Sequence, residues 1–245
     1  MSPQTDRAIV LRLVEYSETS QIVSLFTAEH GLLRLIARGS RRSSRTRFAA
    51  GLDLLESGDV SFLPARGDAQ LGTLTEWVQT DTFGGLRRET LRLYAALYAV
   101  ELLVALTEEA DPHPGLFDTL LRTLGALAGA GPVAPQLPRF QAALLKAIGY
   151  TPNFDACVGC RRPVPRSGPI YFSAGAGGLL CRDCEMHHVE KRRIRTGLLG
   201  SQPGEANHRD WFELLDYHLT HVAGRRFKTA TQLETLLARE PGERL

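Results

Sequence analysis

Gln21-Ile22-Val23-Ser24-Leu25-Phe26-Thr27-Ala28-Glu29-His30-Gly31-Leu32-Leu33-Arg34-Leu35-Ile36-Ala37-Arg38 decides the N-terminal architecture. Both halves are rich in large apolar residues, and Glu29-His30-Gly31 between them is a turn signal. In the second half Leu33, Leu35 and Ala37 fall on one side, and Arg34, Ile36 and Arg38 on the other. That is the two-residue period of a half-buried strand. An Ile-, Val- and Leu-rich run, Arg7–Tyr16, precedes this hairpin. Leu52–Glu56 and Val60–Leu63 follow it, joined through Ser57-Gly58-Asp59, which reads as a second hairpin turn, and Leu71–Val78 closes the set. About five short β-segments joined by turns predict a small barrel or sandwich. A five-stranded OB-type barrel is the natural candidate, and an SH3-like barrel fits the same pattern.

Between the third and fourth β-segments the chain is basic. From Arg34 to Arg47 there are six arginines (Arg34, Arg38, Arg41, Arg42, Arg45, Arg47) and no acid. Residues 1–80 hold nine basic and nine acidic side chains, so their net charge is 9 − 9 = 0 and the positive charge is segregated, not spread. Guanidinium forks bind phosphate oxygens bidentately, and serine hydroxyls add neutral donors. A solvated loop with incidental arginines is equally compatible with charge alone. The whole chain carries a net charge of only +2, and its basic residues are almost all arginine, with three lysines (Lys146, Lys191, Lys228). Such a bias can follow from genome composition.

After Gly84-Gly85 a helical period takes over. Leu86–Ala110 is apolar on most sides, residues 115–128 and Pro138–Ile148 follow, and Gly149 is the C-cap candidate of the last. Helices are expected again at His188–Leu199, His208–Ala223 and Ala230–Arg239. Their lengths and short joints predict a helical bundle with apolar stripes as core. His218 and His221 read as ordinary amphipathic-helix residues without a metal role.

Cys157-Val158-Gly159-Cys160 and Cys181-Arg182-Asp183-Cys184 contain all four cysteines of the 245-residue chain, twenty residues apart. Two such knuckles match a zinc pattern at the long end of its linker range. Two residues between thiolates let both sulfurs reach one ion, and two turns complete a tetrahedral shell. The expectation is one structural Zn2+ per chain, held by Cys157, Cys160, Cys181 and Cys184. Two disulfides are the alternative, disfavoured in a reducing compartment. Proline and glycine dominate the surrounding stretch, so the metal is expected to organise it. His187 and His188 could compete as ligands, but four sulfurs already fill the shell.

The expected fold is thus multi-domain α+β: an N-terminal β-barrel of the OB-fold kind, then an α-helical bundle with an inserted four-cysteine zinc-finger module. The expected domains are residues 1–80 (barrel), 81–150 and 186–245 (helical) and 151–185 (zinc-binding). No phosphate-binding loop, dinucleotide fingerprint, nucleophile elbow, His-Glu-x-x-His or base-deaminase signature is present. Glu108-Glu109 reads as a solvated helix end. These absences point away from catalysis and toward a binding module. No signal peptide opens the sequence, and its most apolar window, Leu93–Leu106, contains Glu101 and is too short to span a bilayer. A cytoplasmic protein without a membrane role is expected.

Ala8-Ile9-Val10-Leu11, Tyr16-Ser17-Glu18-Thr19-Ser20, Leu25-Phe26-Thr27, Gly31 and Ala37-Arg38-Gly39 together resemble the N-terminus of the bacterial recombination mediator family RecO. Leu144–Cys160 is similar to that family's entry into its cysteine region, and Tyr217–Leu233, with Gly224-Arg225-Arg226-Phe227-Lys228, resembles its C-terminal helices. Thr229 stands where the family usually has serine. The resemblance implies an OB-fold, a helical domain and, in many members, a zinc module. It implies binding of single- and double-stranded DNA, annealing of complementary strands and, with RecR, help in loading RecA onto strands covered by single-strand-binding protein (SSB), without catalysis. It favours Arg34, Arg38, Arg41, Arg42, Arg45 and Arg47 as DNA contacts. The N-terminal aromatics Phe26, Phe62 and Trp77 are expected in the core, with Phe48 in the loop. The interaction is therefore expected to be dominated by phosphates and sensitive to salt. A second basic cluster, Lys191, Arg192, Arg193 and Arg195, with Arg161, Arg162 and Arg166 nearby, reads as a soluble helix end or a second DNA face. Competing readings are a zinc-dependent enzyme acting on nucleic acid, and a protein-docking adaptor with incidental DNA binding.

Overall fold

The computed structural model describes residues 2–39, 52–65, 71–164 and 168–239. Five strands, β1 (Gln4–Glu15), β2 (Gln21–Thr27), β3 (Gly31–Ala37), β4 (Ser57–Leu63) and β5 (Gly72–Asp81), close into a barrel of order β1-β2-β3-β5-β4. Neighbours are antiparallel except β3 and β5, which run parallel, and β1 pairs with β4 to complete the ring. This is the OB-type barrel expected from the alternation. Ala8, Val10, Val23, Leu25, Leu35, Ala37, Val60, Phe62, Leu74 and Trp77 fill its interior.

Two segments differ from what the local sequence pattern suggests. Ser57-Gly58-Asp59 is not a turn but the start of β4, with Gly58 opposite Ala8 on one side and Gln79 on the other. The glycine marks a close approach: a Cβ at position 58 would lie 2.5 Å from the Val78 carbonyl oxygen and 2.7 Å from the Trp77 ring. Leu52–Glu56 is no strand. It is a connection whose Leu55, at φ 67°, donates to the Val10 carbonyl at 2.8 Å, while Val10 N–H donates to the Glu56 carbonyl at 2.9 Å.

The chain divides into two compact units, Met1–Arg88 with Thr107–Gly129, and Glu89–Leu106 with Ala130–Leu245. In the first, helix α2 (Pro114–Ala128) packs on β2. Outward-facing Ile9, Phe26 and Leu32 stand in one row across β1, β2 and β3 and are buried, with the Phe26 and Phe117 rings 6.1 Å apart. The β2–β3 turn meets the approach to α2. Leu32 accepts from Ala110 N–H at 3.0 Å, and a Cβ on Gly31, which has φ 69°, would lie 2.3 Å from the Asp111 oxygen.

The second unit holds α1 (Thr90–Leu106), α3 (Gln136–Ala147), α5 (His208–Ala223) and α6 (Lys228–Leu237). Gly149 follows α3 at φ 78°, the left-handed conformation expected of its cap. Glu101 of α1 anchors the start of α6, accepting from Lys228 N–H (2.9 Å), Thr229 N–H (2.9 Å) and the Thr229 hydroxyl (2.7 Å). Between α3 and α5 lies a three-stranded sheet, β7-β6-β8, made of β6 (Ile170–Ser173), β7 (Gly178–Leu180) and β8 (Arg192–Ile194), with the short helix α4 (Arg182–Glu185) after β7.

The segment 188–199, expected as a helix, is instead strand β8 followed by a 3-10 turn at Thr196–Gly200. Ile194 is its one buried residue up to position 195, paired with Ile170 at the sheet edge, and a single apolar anchor gives a helix no stripe to bury. The cysteine stretch also buries more apolar surface than its glycine content suggests. Ile170, Phe172, Leu179 and Leu180 are buried, and Phe172 lies among Phe154, Tyr217 and His218. Phe154 meets Trp211 of α5 edge-on at 5.1 Å. Among the described residues no helix is long and apolar enough to cross a membrane.

Candidate metal centre and nucleic-acid interface

The four cysteines come from two turns. In the first, Arg161, at φ 62°, donates its N–H to the Cys157 carbonyl at 2.7 Å, and Cys157 N–H donates to the Arg162 carbonyl at 2.9 Å. In the second, β7 delivers Cys181, and α4 carries Cys184, whose N–H donates back to the Cys181 carbonyl at 3.1 Å. Gly159 lets the turns meet: a Cβ there would lie 3.1 Å from the Cys184 Sγ.

All four Sγ atoms lie within 4.8 Å of one another, close enough to share a metal ion. The Cys160 and Cys181 sulfurs are 3.8 Å apart. Zn–S bonds of about 2.3 Å in a tetrahedron place sulfurs about 3.8 Å apart, so the donor set fits. All four are free cysteines, so the disulfide alternative is not what the geometry holds. Burial opposes ionisation of Cys157, but N–H donation from Cys181, Cys160 and Gly159 outweighs it and brings the thiol down to about 6. The hydrogen bond from Cys184 to Cys181 holds the Cys184 thiol up at about 12. Four thiolates so close need a cation to coexist. His187 and His188 are not members of the cluster.

The barrel carries the other candidate surface. Arg34 and Arg38 are both exposed on or just beyond β3. Arg41, Arg42, Arg45, Arg47 and Phe48 lie outside the described residues. Phe26, Phe62 and Trp77 are buried, as expected of core aromatics. A β-bulge changes what β1 presents. Val10 pairs with Leu25 but Arg12 pairs with Ser24, so two β1 residues oppose one on β2. Ala8 and Val10 point inward, and beyond the bulge it is Leu13 that packs against the core. Arg12 and Val14, which strict alternation would turn inward, therefore face out.

The outward rows are thus Arg12–Ser24–Arg34 and Val14–Ile22–Ile36 across β1, β2 and β3. Arg34 has one loose ion pair, 3.7 Å from Glu109, with both side chains at least half exposed. Arg12 and Arg38 have none among the described residues. Sequence reasoning missed Arg12, because the bulge leaves no mark in hydrophobic alternation.

The second basic cluster is largely neutralised. Lys191 pairs with Glu185, Arg192 with Glu213 at 3.2 Å and Arg195 with Asp210 at 3.4 Å; Arg193, Arg161 and Arg162 have no ion pair among the described residues, and Arg166 lies outside them.

The sequence is similar to known proteins. The family Recombination protein O N terminal matches residues 1–83, and Recombination protein O C terminal matches residues 87–202. "DNA repair protein RecO" of Anaeromyxobacter dehalogenans (strain 2CP-C) is 40% identical over 176 residues, 72% of this chain and 68% of that protein. The protein of the same description from Rhodopirellula baltica is 39% identical over 178 residues, 72% of this chain and 65% of that protein. The one from Pelobacter propionicus is 33% identical over 244 residues, 94% of this chain and 95% of that protein.

Proposed function

The chain belongs to the recombination protein O family of DNA repair proteins, and from that premise we propose that it is a non-enzymatic recombination mediator. In this reading it binds single- and double-stranded DNA and anneals complementary strands. With RecR it promotes loading of RecA on SSB-coated single strands, in the cytoplasm and at the nucleoid during repair.

The observation that carries the reading is the outward row Arg12–Ser24–Arg34, with Arg38 beyond it, on a barrel wall whose neighbouring outward row is apolar and uncharged. Guanidinium groups in a row offer bidentate sites to successive phosphates without reading bases. The arginines at 41, 42, 45 and 47 extend the same charge along the chain. Annealing needs this arrangement, because phosphates are held while base edges remain free.

Division of labour follows the three expected parts. Residues 1–80 hold DNA, with α2 of the 81–150 part packed on β2 in the same compact unit, the other helices of 81–150 and 186–245 form the body, and 151–185 is the zinc-binding module. The resident ion is one Zn2+ bound by Cys157, Cys160, Cys181 and Cys184. It closes its shell with four sulfurs and supplies structure, not Lewis-acid chemistry, since no position remains for water.

Equilibrium binding of the full chain to single- and double-stranded oligonucleotides across a salt series tests the proposal. A steep fall of affinity with salt is expected. Absence of binding to either form at low salt would remove it.

A further inference from the structure

Within the barrel unit, every described aromatic of the phenylalanine, tyrosine and tryptophan type is buried except one. Phe26, Phe62, Trp77, Phe83 and Phe117 are core residues, whereas Tyr16 is 62% exposed. It stands one residue past the end of β1, and its backbone is pinned. Tyr16 N–H donates to the Ser20 carbonyl at 3.1 Å, and Ser17 N–H donates to the same carbonyl at 3.1 Å. The turn from 16 to 20 is therefore a closed hairpin end with the ring left outside. Tyr16 makes no ring contact among the described residues.

Its place follows from the bulge at Val10–Arg12. That one extra residue sets the phase of the strand after it, so Arg12 and Val14 share the outer side of β1, and exposed Tyr16 follows one residue past its end in the same alternation. On β2 and β3 the outward residues are Ser24 and Ile22, then Arg34 and Ile36, and exposed Arg38 follows one residue past the end of β3. The rows themselves contain no acid; Glu15 lies between Val14 and Tyr16 in the chain, out of phase with them, and Glu109 makes the loose 3.7 Å pair with Arg34. An aromatic ring thus borders a face of three arginines around an apolar centre. Arg38 follows β3 directly, so extended chain puts it up to about 13 Å from Arg34. That span suits phosphates separated by a nucleotide or two of extended single strand.

We propose that Tyr16 is a stacking platform for one base of a single strand whose phosphates lie on Arg12, Arg34 and Arg38. This deepens the DNA-binding reading and rests on it. Charge complementarity selects a polyanion, and the exposed ring beside the charges selects one with unpaired bases, because a duplex hides its base faces. A single ring at the edge of the face holds one base and leaves its neighbours free to pair.

The test compares the full chain with Tyr16→Ala and Tyr16→Phe on two probes of equal length: an oligo-dT strand and an abasic strand with the same phosphates. The wild type should bind oligo-dT more tightly than the abasic strand. Tyr16→Ala should lose about tenfold on oligo-dT, the lower part of what one stacked base supplies, and change little on the abasic strand. Tyr16→Phe keeps the ring and should stay within about twofold of wild type on both. Equal loss on both probes would overturn the proposal, as would no loss on either, including the case in which Tyr16→Ala weakens only a protein partner. A wild type that binds the abasic strand as well as oligo-dT would overturn stacking but leave phosphate binding standing. A wild type that binds neither would remove both.

Discussion

Arg12 of β1 and Arg34 of β3 stand in one row across the barrel wall, separated by Ser24 of β2, to which each is paired in register. Adjacent strands lie about 4.8 Å apart, so the two backbones are about 10 Å from each other with both side chains outward. Reversal of Arg12, Arg34 and Arg38 to Glu should weaken single-strand binding and flatten its dependence on salt. Each phosphate that is no longer neutralised lowers the slope of log K against log salt by about 0.7, so about 2 units are expected for three. Reversal of the ion-paired Arg192 and Arg195 should leave the slope unchanged. The arginines at 41, 42 and 45 are tested in the same way, and an unchanged slope would remove that loop from the interface.

Cys181→Ser should release the metal and destabilise the second unit. One zinc per chain is expected by elemental analysis of the wild type and much less in the variant, with a stability loss on the order of 4 kcal/mol. The apolar hairpin around Phe172 and Leu179 should preserve partial structure. A wild type without metal, or a variant that melts with the wild type, would refute a structural zinc. A variant that keeps its fold yet loses a catalysed reaction would instead support the zinc-enzyme reading.

Glu101 receives three hydrogen bonds from Lys228 and Thr229 at the start of α6. Glu101→Ala should cost about 1–2 kcal/mol, the range for losing a helix cap, with amide exchange rising first in α6. Thr229→Ser keeps the hydroxyl and should be near neutral. Uniform exchange across the second unit would contradict the local role.

Asp216 accepts from the Tyr98 hydroxyl at 2.6 Å, and that hydroxyl accepts from Gln141 Nε2 at 2.7 Å. Burial raises the Asp216 carboxyl from 3.8 to about 6. Between these values the folded chain keeps a proton that the unfolded chain has released. Its contribution is full below about pH 4 and is lost as pH rises through about 6, on the order of 3 kcal/mol in all. Denaturation across pH 4–7 should show this fall in the wild type and not in Asp216→Asn. Parallel curves would contradict it. The difference between the two proteins isolates Asp216 from Glu101 and Glu190, both of which shift downward.

The parts legible in the sequence are those with a period or a fixed spacing. Leu33, Leu35 and Ala37 alternate because one side of β3 faces the barrel interior. The Cys-x-x-Cys pairs are visible because two sulfurs on one ion demand that spacing. What escaped depends on partners distant in the chain. Gly58 signals a turn locally, but it is glycine because Trp77 and Val78 cross close to it. Residues 192–194 are polar with one apolar anchor, and only β6 makes them a strand. Ile170, Phe172, Leu179 and Leu180 are too few in a row to stand out from the glycines around them, yet all are buried. The bulge at Leu11 is the costliest omission for function, since it decides that Arg12 and Val14 face outward just before Tyr16.

The central claim is tested most directly by annealing of complementary strands coated with SSB, measured with the zinc-loaded chain, with and without RecR. The account predicts that the chain alone accelerates annealing of bare and coated strands, that adding RecR shifts its action toward RecA loading on the coated strand, and that the Arg12, Arg34 and Arg38 reversals abolish both. Annealing at the uncatalysed rate with intact, metal-loaded protein would contradict it.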